Sequence, residues 1–206
     1  NNWIIVNIIS ILISVMIIST SYPLIDIQSA PSTGFDMIID SDHEVEGMEL
    51  WENRTVFLDS NLNITGTLIL RNTTLVVNHS YDITIEGFLN ISDLDGDPGT
   101  IGDRSEIIGN SSFITSLINN NGAVNIKNSF ISNSLIEGSK LEILSTDLED
   151  CMIILYHHDK LINSTLKNMD FGPDPAIVTS TSSILSIRNV TIKDYPGGIR
   201  NDGGAL

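Results

Sequence analysis

The chain has 206 residues, 41% hydrophobic and 17% charged, which suits one domain with a packed core and excludes a disordered tail. Its 26 acidic residues against 10 basic ones give a net charge of −16, a surface that repels phosphate backbones and excludes nucleic acid as a partner. Aromatics supply only 6%, so the interior must be aliphatic and β-branched, which fits stacked strands better than a helical bundle.

The first element is apolar. No charged residue occurs from Asn1 to Ile25, and Trp3 to Ile18 is almost wholly Ile, Val, Leu and Met. The run is short for a membrane span, which needs about 20 residues, and close to a signal-peptide core. Ser19, Thr20 and Ser21 put small residues where a signal peptidase needs them, with Pro23 shortly after. Residues 1–21 are therefore expected to form a hydrophobic export helix, as a signal peptide or a membrane anchor. That places the protein in a secreted or cell-surface setting and confines membrane contact to this segment. The sequence opens on Asn1-Asn2 with no basic stretch, and it closes on Gly203-Gly204-Ala205-Leu206 with no capping element. Repeat stacks need caps, so truncation at the C-terminus is expected.

Residues 22–46 read as a linker, with Pro23, Pro31 and Gly34 followed by the acidic run Asp40-Ser41-Asp42-His43-Glu44. From residue 47 to 206 the pattern changes to short alternating apolar runs separated by Asn, Ser, Gly and Asp.

Those runs repeat. Gly66-Thr-Leu-Ile-Leu-Arg-Asn matches Gly122-Ala-Val-Asn-Ile-Lys-Asn and Ser183-Ile-Leu-Ser-Ile-Arg-Asn, with Ser139-Lys-Leu-Glu-Ile-Leu-Ser a further copy. Leu161 to Leu166 fits the second half of the template, and Gly87-Phe88-Leu89-Asn90-Ile91 the first. The turn positions Asn128, Ser145, Asn163 and Asn189 are 17 to 26 residues apart, the range of solenoid coils. Each copy is too one-sided to bury itself, and stacking gives every strand a partner above and below. Leu68, Leu70, Leu185 and Ile187 then point inward, while Arg71, Lys127 and Arg188 point outward. Asn suits the breaks because it tolerates the left-handed backbone a corner requires, and stacked Asn side chains can bond along the stack.

These copies resemble the repeats of right-handed parallel β-helix proteins, the pectate-lyase-like superfamily, over about Met48 to the end. The resemblance implies an all-β right-handed parallel β-helix, or solenoid. It leaves function open, because that fold hosts lyases, hydrolases, adhesins and scaffolds. An antiparallel β-sandwich is the structural competitor.

Three sets of candidate site residues stand out. Asp93, Asp95, Asp97, Asp103 and Glu106 alternate carboxylates in a Gly-rich loop and could offer oxygen ligands to Ca²⁺. The loop departs from the EF-hand register: counted from Asp93, position six is Pro98 and position twelve is Arg104. An acidic loop bulging from one coil, with Arg104 pairing locally, is the alternative. Eight Asn-x-Ser/Thr sequons occur, about twice as many as the composition alone would write. Asn53, Asn78 and Asn110 are the glycosylation candidates, because Asn72, Asn163 and Asn189 sit at the template corner, where a laddered, inward side chain cannot carry a glycan. His157-His158-Asp159 is a poor metal site, since neighbours on a strand face opposite ways. The lone Cys151 heads an apolar run and is expected to be a buried structural thiol.

No nucleophile elbow, phosphate-cradling loop, zinc spacing or paired-Asp strand motif is present. The expected function is therefore an exported structural or interaction protein that uses the β-helix as a scaffold and contacts extracellular glycans or other surface proteins. The alternatives are a polysaccharide lyase or glycosidase, and a metal-handling surface repeat protein.

Overall fold

The computed structural model describes residues 35–79, 81–110, 115–119, 121–156, 158–168, 174–180 and 185–202. The expected export helix and most of the expected linker lie outside these residues. What is described is all-β, with nineteen strands joined into one sheet and no helix. Every strand pairing is parallel, which rules out the antiparallel sandwich.

The pairings separate into three series, and the chain visits them in rotation. The first stacks the opening half of Met48–Leu58, the opening half of Thr67–Val77, then Phe88–Ser92, Ala123–Lys127, Leu141–Leu144, Asp159–Ile162 and Leu185–Arg188. The second runs from Met37–Ile39 through the closing halves of those two long strands to Glu106–Ile108, Phe130–Gly138, Asp147–Leu155, Thr165–Lys167 and Thr191–Lys193. The third runs from His43–Val45 through Leu62–Ile64, Asp82–Ile85 and Thr115–Asn119, takes in the far halves of Phe130–Gly138 and Asp147–Leu155, and ends with Ile177–Thr179 and Ile199–Asn201. This is the connectivity of a coiled stack and is compatible with a parallel β-helix. At about 4.8 Å per strand a stack of this depth is roughly 34 Å long.

Because side chains alternate along each strand, one residue of every strand repeats at the same inward position. Trp51, Leu70, Ile91, Ile126, Ile143, Leu161 and Ile187 form one such row. Val56, Leu75, Ile107, Ile131, Leu148, Leu166 and Ile192 form a second. Leu62, Ile83, Leu117, Ile136, Ile153, Ile177 and Ile199 form a third. Most of these side chains are fully buried in one core, and Ile187, Ile192 and Ile199, in the last strands, are only partly covered. Like meets like down each row, so the rows pack without large voids and the register is strongly specified. A slip of one residue would turn every aliphatic outward.

The stack begins earlier than the sequence suggests. Met37–Ile39 and His43–Val45 fall inside the segment read as a linker, yet Ile39 and Val45 are buried and pair in register with Leu58 and Ile64. Three-residue strands are too short to display alternation, so acidity dominated the reading there.

Candidate functional site

The corners are the most regular polar feature. All five template turn residues adopt left-handed backbone, with φ of 45° at Asn72, 49° at Asn128, 50° at Ser145 and 52° at Asn163 and Asn189. Each is followed by an inward residue, and four of these carry hydroxyls. Thr73, Ser129, Thr146 and Ser164 are buried and donate to the carbonyls of Arg71, Lys127, Leu144 and Ile162, at 2.7 to 3.1 Å. Four inward hydroxyls thus find acceptors within their own corner, while Asn128 Oδ1 is buried with no hydrogen-bond partner among the described residues. Side chains also bond between coils as expected: Asn72 Nδ2 donates to Asn53 Oδ1 at 2.7 Å, and Asn189 Nδ2 to Asn163 Oδ1 at 3.0 Å.

This geometry accounts for the sequons at the corners. A left-handed Asn, then an inward residue, then an outward Thr writes Asn-x-Thr wherever the coil bends. Thr55 and Thr74 face each other on the outer surface, as do Thr165 and Thr191. Two details differ from expectation. Asn53, set apart as a glycosylation candidate, is itself a corner residue with φ 54° and is bonded to Asn72. Of the corner amides, Asn53, Asn163 and Asn189 are exposed rather than inward, whereas Asn128 is buried. Asn78 is half-buried and donates to Asp59 Oδ1 at 2.9 Å, and Asn110 is half-buried.

The acidic loop is not brought together as one cation cage. Asp93 occupies the corner row: Phe88–Ser92 stacks on Thr67–Arg71, so Asp93 follows Asn72. It is buried and accepts from Asn128 Nδ2 at 3.0 Å. Asp95 Oδ1 accepts from the Asp97 amide at 2.8 Å and the Thr100 hydroxyl at 3.1 Å, while Asp97 Oδ1 accepts from the Gly99 amide at 2.9 Å. Asp103 is half-buried. Glu106 pairs with Arg104 at 3.1 Å, and Arg104 continues to Asp147 at 3.5 Å with its guanidinium 4.7 Å above the Phe130 ring. Among the described residues, no group of three or more His, Cys, Asp and Glu is placed to hold a metal ion. Continuing the repeat template two residues past Ile91 lands on Asp93, which is the signal that would have separated it from the loop.

Elsewhere on the outer surface several acids stack against bases, although two bases, Lys167 and Lys193, face each other in register. Glu52 stacks against Arg71 at 3.1 Å and Glu142 against Lys160 at 3.4 Å, while Glu149 faces Lys167 in register. In no pairing of the described strands does a carboxylate residue face another carboxylate residue. For a chain of net charge −16 this matters, because like charges directly opposite one another destabilise a sheet.

A polar cleft opens on the third series near its start. Asp42, His43, Glu44, Asn61, Leu62, Asn63 and Thr84 line about 290 Å³. Glu44, Asn63 and Thr84 share one outward row. Asn61 donates its amide and Nδ2 to Asp42 Oδ1 at 3.3 and 3.4 Å, and its own Oδ1 accepts from the Asp82 amide at 3.2 Å. His43 Nε2 lies 3.4 Å from Glu49 Oε1, with the ring tilted against Trp51 at 6.2 Å. The lining is rich in hydrogen-bond acceptors and contains no Lys or Arg, so it suits ligands that donate hydrogen bonds. Sequence reading placed Asp42, His43 and Glu44 in a linker and did not join them to Asn61, Asn63 and Thr84 of the repeats.

The other sequence-singled residues fall into structural places. Cys151 is fully buried, and burial pushes its thiol up to about 12, so it stays protonated and unreactive. His158 is exposed at a left-handed corner, whereas Asp159 points inward and accepts from the Leu141 amide at 2.8 Å. His157 lies outside the described residues. Comparison with family models, curated proteins and solved structures finds no match.

Proposed function

We propose that this chain is an exported scaffold of the right-handed parallel β-helix type, similar to pectate-lyase-like folds, that contacts extracellular glycans or other surface proteins through its outer faces. Right-handed coiling follows from the general handedness of parallel strand crossovers. Export rests on the apolar N-terminal segment. The observation that carries the scaffold reading is the outer surface. Its strand-borne carboxylates are dispersed, each opposite a base, a polar or an apolar residue, and its corners carry Asn, Ser and Thr that hydrogen-bond within and between coils. A glycosidase or lyase of this architecture would instead gather acids on neighbouring coils.

The second reading is a carbohydrate-active enzyme, and one observation favours it: Asp42, His43 and Glu44 line a single cleft. The two separate in one experiment. The protein is incubated with neutral and acidic polysaccharides in the presence of Ca²⁺, and both retention and product formation are followed. Retention without new chain ends supports the scaffold; unsaturated or reducing ends that vanish in Glu44→Gln establish the enzyme.

A further inference from the structure

The third-to-first corner of the stack carries a column of glycines, and one of them creates a chemically labile pair. Gly47, Gly66, Gly87 and Gly122 occupy this corner, and a Cβ on Gly66 or Gly87 would collide with the carbonyl oxygen of the glycine one coil earlier. A Cβ on Gly122 would lie 2.5 Å from Gly87 O. Close stacking of the coils therefore requires glycine at 122. The residue ahead of the glycine is Glu46, Thr65 or Glu86 in the earlier coils, but Asn121 in this one. Asn121-Gly122 is the chain's single Asn-Gly pair. Asn121 is exposed, with φ of 70°.

We propose that Asn121-Gly122 is a modification site at which the chain converts spontaneously to isoaspartate. The amide nitrogen of Gly122, a residue with no side chain of its own to crowd the approach, attacks Asn121 Cγ. The new N–C bond closes a succinimide, and ammonia leaves with the proton taken from that nitrogen. Water then opens the ring at either carbonyl, giving Asp or isoaspartate. The other asparagine corners are followed by residues with side chains: Asn53 by Arg, and Asn72, Asn128, Asn133, Asn163 and Asn189 by Thr, Ser or Val. The conversion has a structural consequence. Isoaspartate adds a methylene to the main chain immediately before Gly122, one residue ahead of Ala123, whose amide donates to Gly87 O at 2.9 Å, and beside Lys140 Nζ, which reaches Asn121 O at 3.4 Å. Both ties between coils are displaced, so the modified stack is less stable.

The test is to hold the full chain at mildly alkaline pH and body temperature, then locate isoaspartate by peptide mass mapping and by isoaspartyl methyltransferase labelling. Isoaspartate is expected at 121 ahead of every other asparagine, with a lower melting temperature in the converted fraction. Asn121→Gly, which keeps the left-handed corner, is expected to fold equally well and to lose the signal. Absence of isoaspartate at 121, or earlier conversion at any other asparagine, overturns the proposal.

Discussion

The phenol of Tyr195 ties up both backbone polar groups of Cys151. It accepts a hydrogen bond from the Cys151 amide at 2.9 Å and donates one to the Cys151 carbonyl at 2.6 Å. The strand Asp147–Leu155 pairs with Ile177–Thr179 only from Ile153 onward, so among the described strands none pairs with Cys151 on that side. Tyr195 is itself buried, and burial raises the energy needed to ionise it. The ring fills the interior while the hydroxyl satisfies both backbone groups.

Tyr195→Phe keeps the ring and removes the hydroxyl, leaving a buried donor and a buried acceptor unpaired. The expected cost is about 1–3 kcal/mol. Urea unfolding followed by circular dichroism reads this as a lower midpoint with unchanged slope and native spectrum. An unchanged midpoint would mean that water replaces the hydroxyl.

A second tyrosine predicts pH dependence. Tyr156 donates to Glu137 Oε1 at 2.6 Å, and this bond, with partial burial and the carboxylate charge, pushes its phenol up from 10.0 to about 12. The folded chain therefore holds a proton that the unfolded chain releases first. The corresponding stability is fully present below pH 10.0 and is lost as pH rises toward about 12. Glu137→Gln removes the charge, so phenolate absorbance should appear at lower pH and alkaline unfolding should lose this component. An unchanged absorbance titration would contradict the pairing.

The corners make a third prediction. Asn163 holds φ 52°, a conformation open to glycine and asparagine but strained for β-branched residues. Asn163→Gly should be nearly neutral, and Asn163→Val should cost about 1–2 kcal/mol or more. Thermal unfolding of the two variants reads the difference directly; equal melting temperatures would show that this corner does not need left-handed backbone.

The legible part of the fold was the part that repeats with constant residue type. Asn72, Asn128, Ser145, Asn163 and Asn189 marked one corner because the same small amide or hydroxyl recurs there, and Leu68 and Leu70 marked the inward rows. The other corners were hidden because unlike residues do the same job: Lys140 and His158 before the first series, and Asn133 and Asp150 within long strands, all take positive φ. Asp93 was misassigned because the insertion that follows it breaks the spacing and surrounds it with other acids. The cleft at Asp42 and Glu44 escaped notice because three-residue strands show no period. Tyr195 escaped because its partner lies 44 residues away and a side chain, not a strand, makes the contact.

Parallel stacking in the stated register is the claim on which the rest depends, and an engineered disulfide tests it most directly. Thr165 and Thr191 face each other on the outer surface of adjacent parallel strands, where neighbouring strands lie about 4.8 Å apart, within the range a disulfide spans. With both replaced by cysteine, mild oxidation should form the cross-link rapidly, with no loss of native circular dichroism, while Cys151 stays buried and reduced. The out-of-register pair Thr165 with Lys193 should close far more slowly. A folded protein in which the in-register pair resists oxidation, or the out-of-register pair closes first, would contradict the parallel stack.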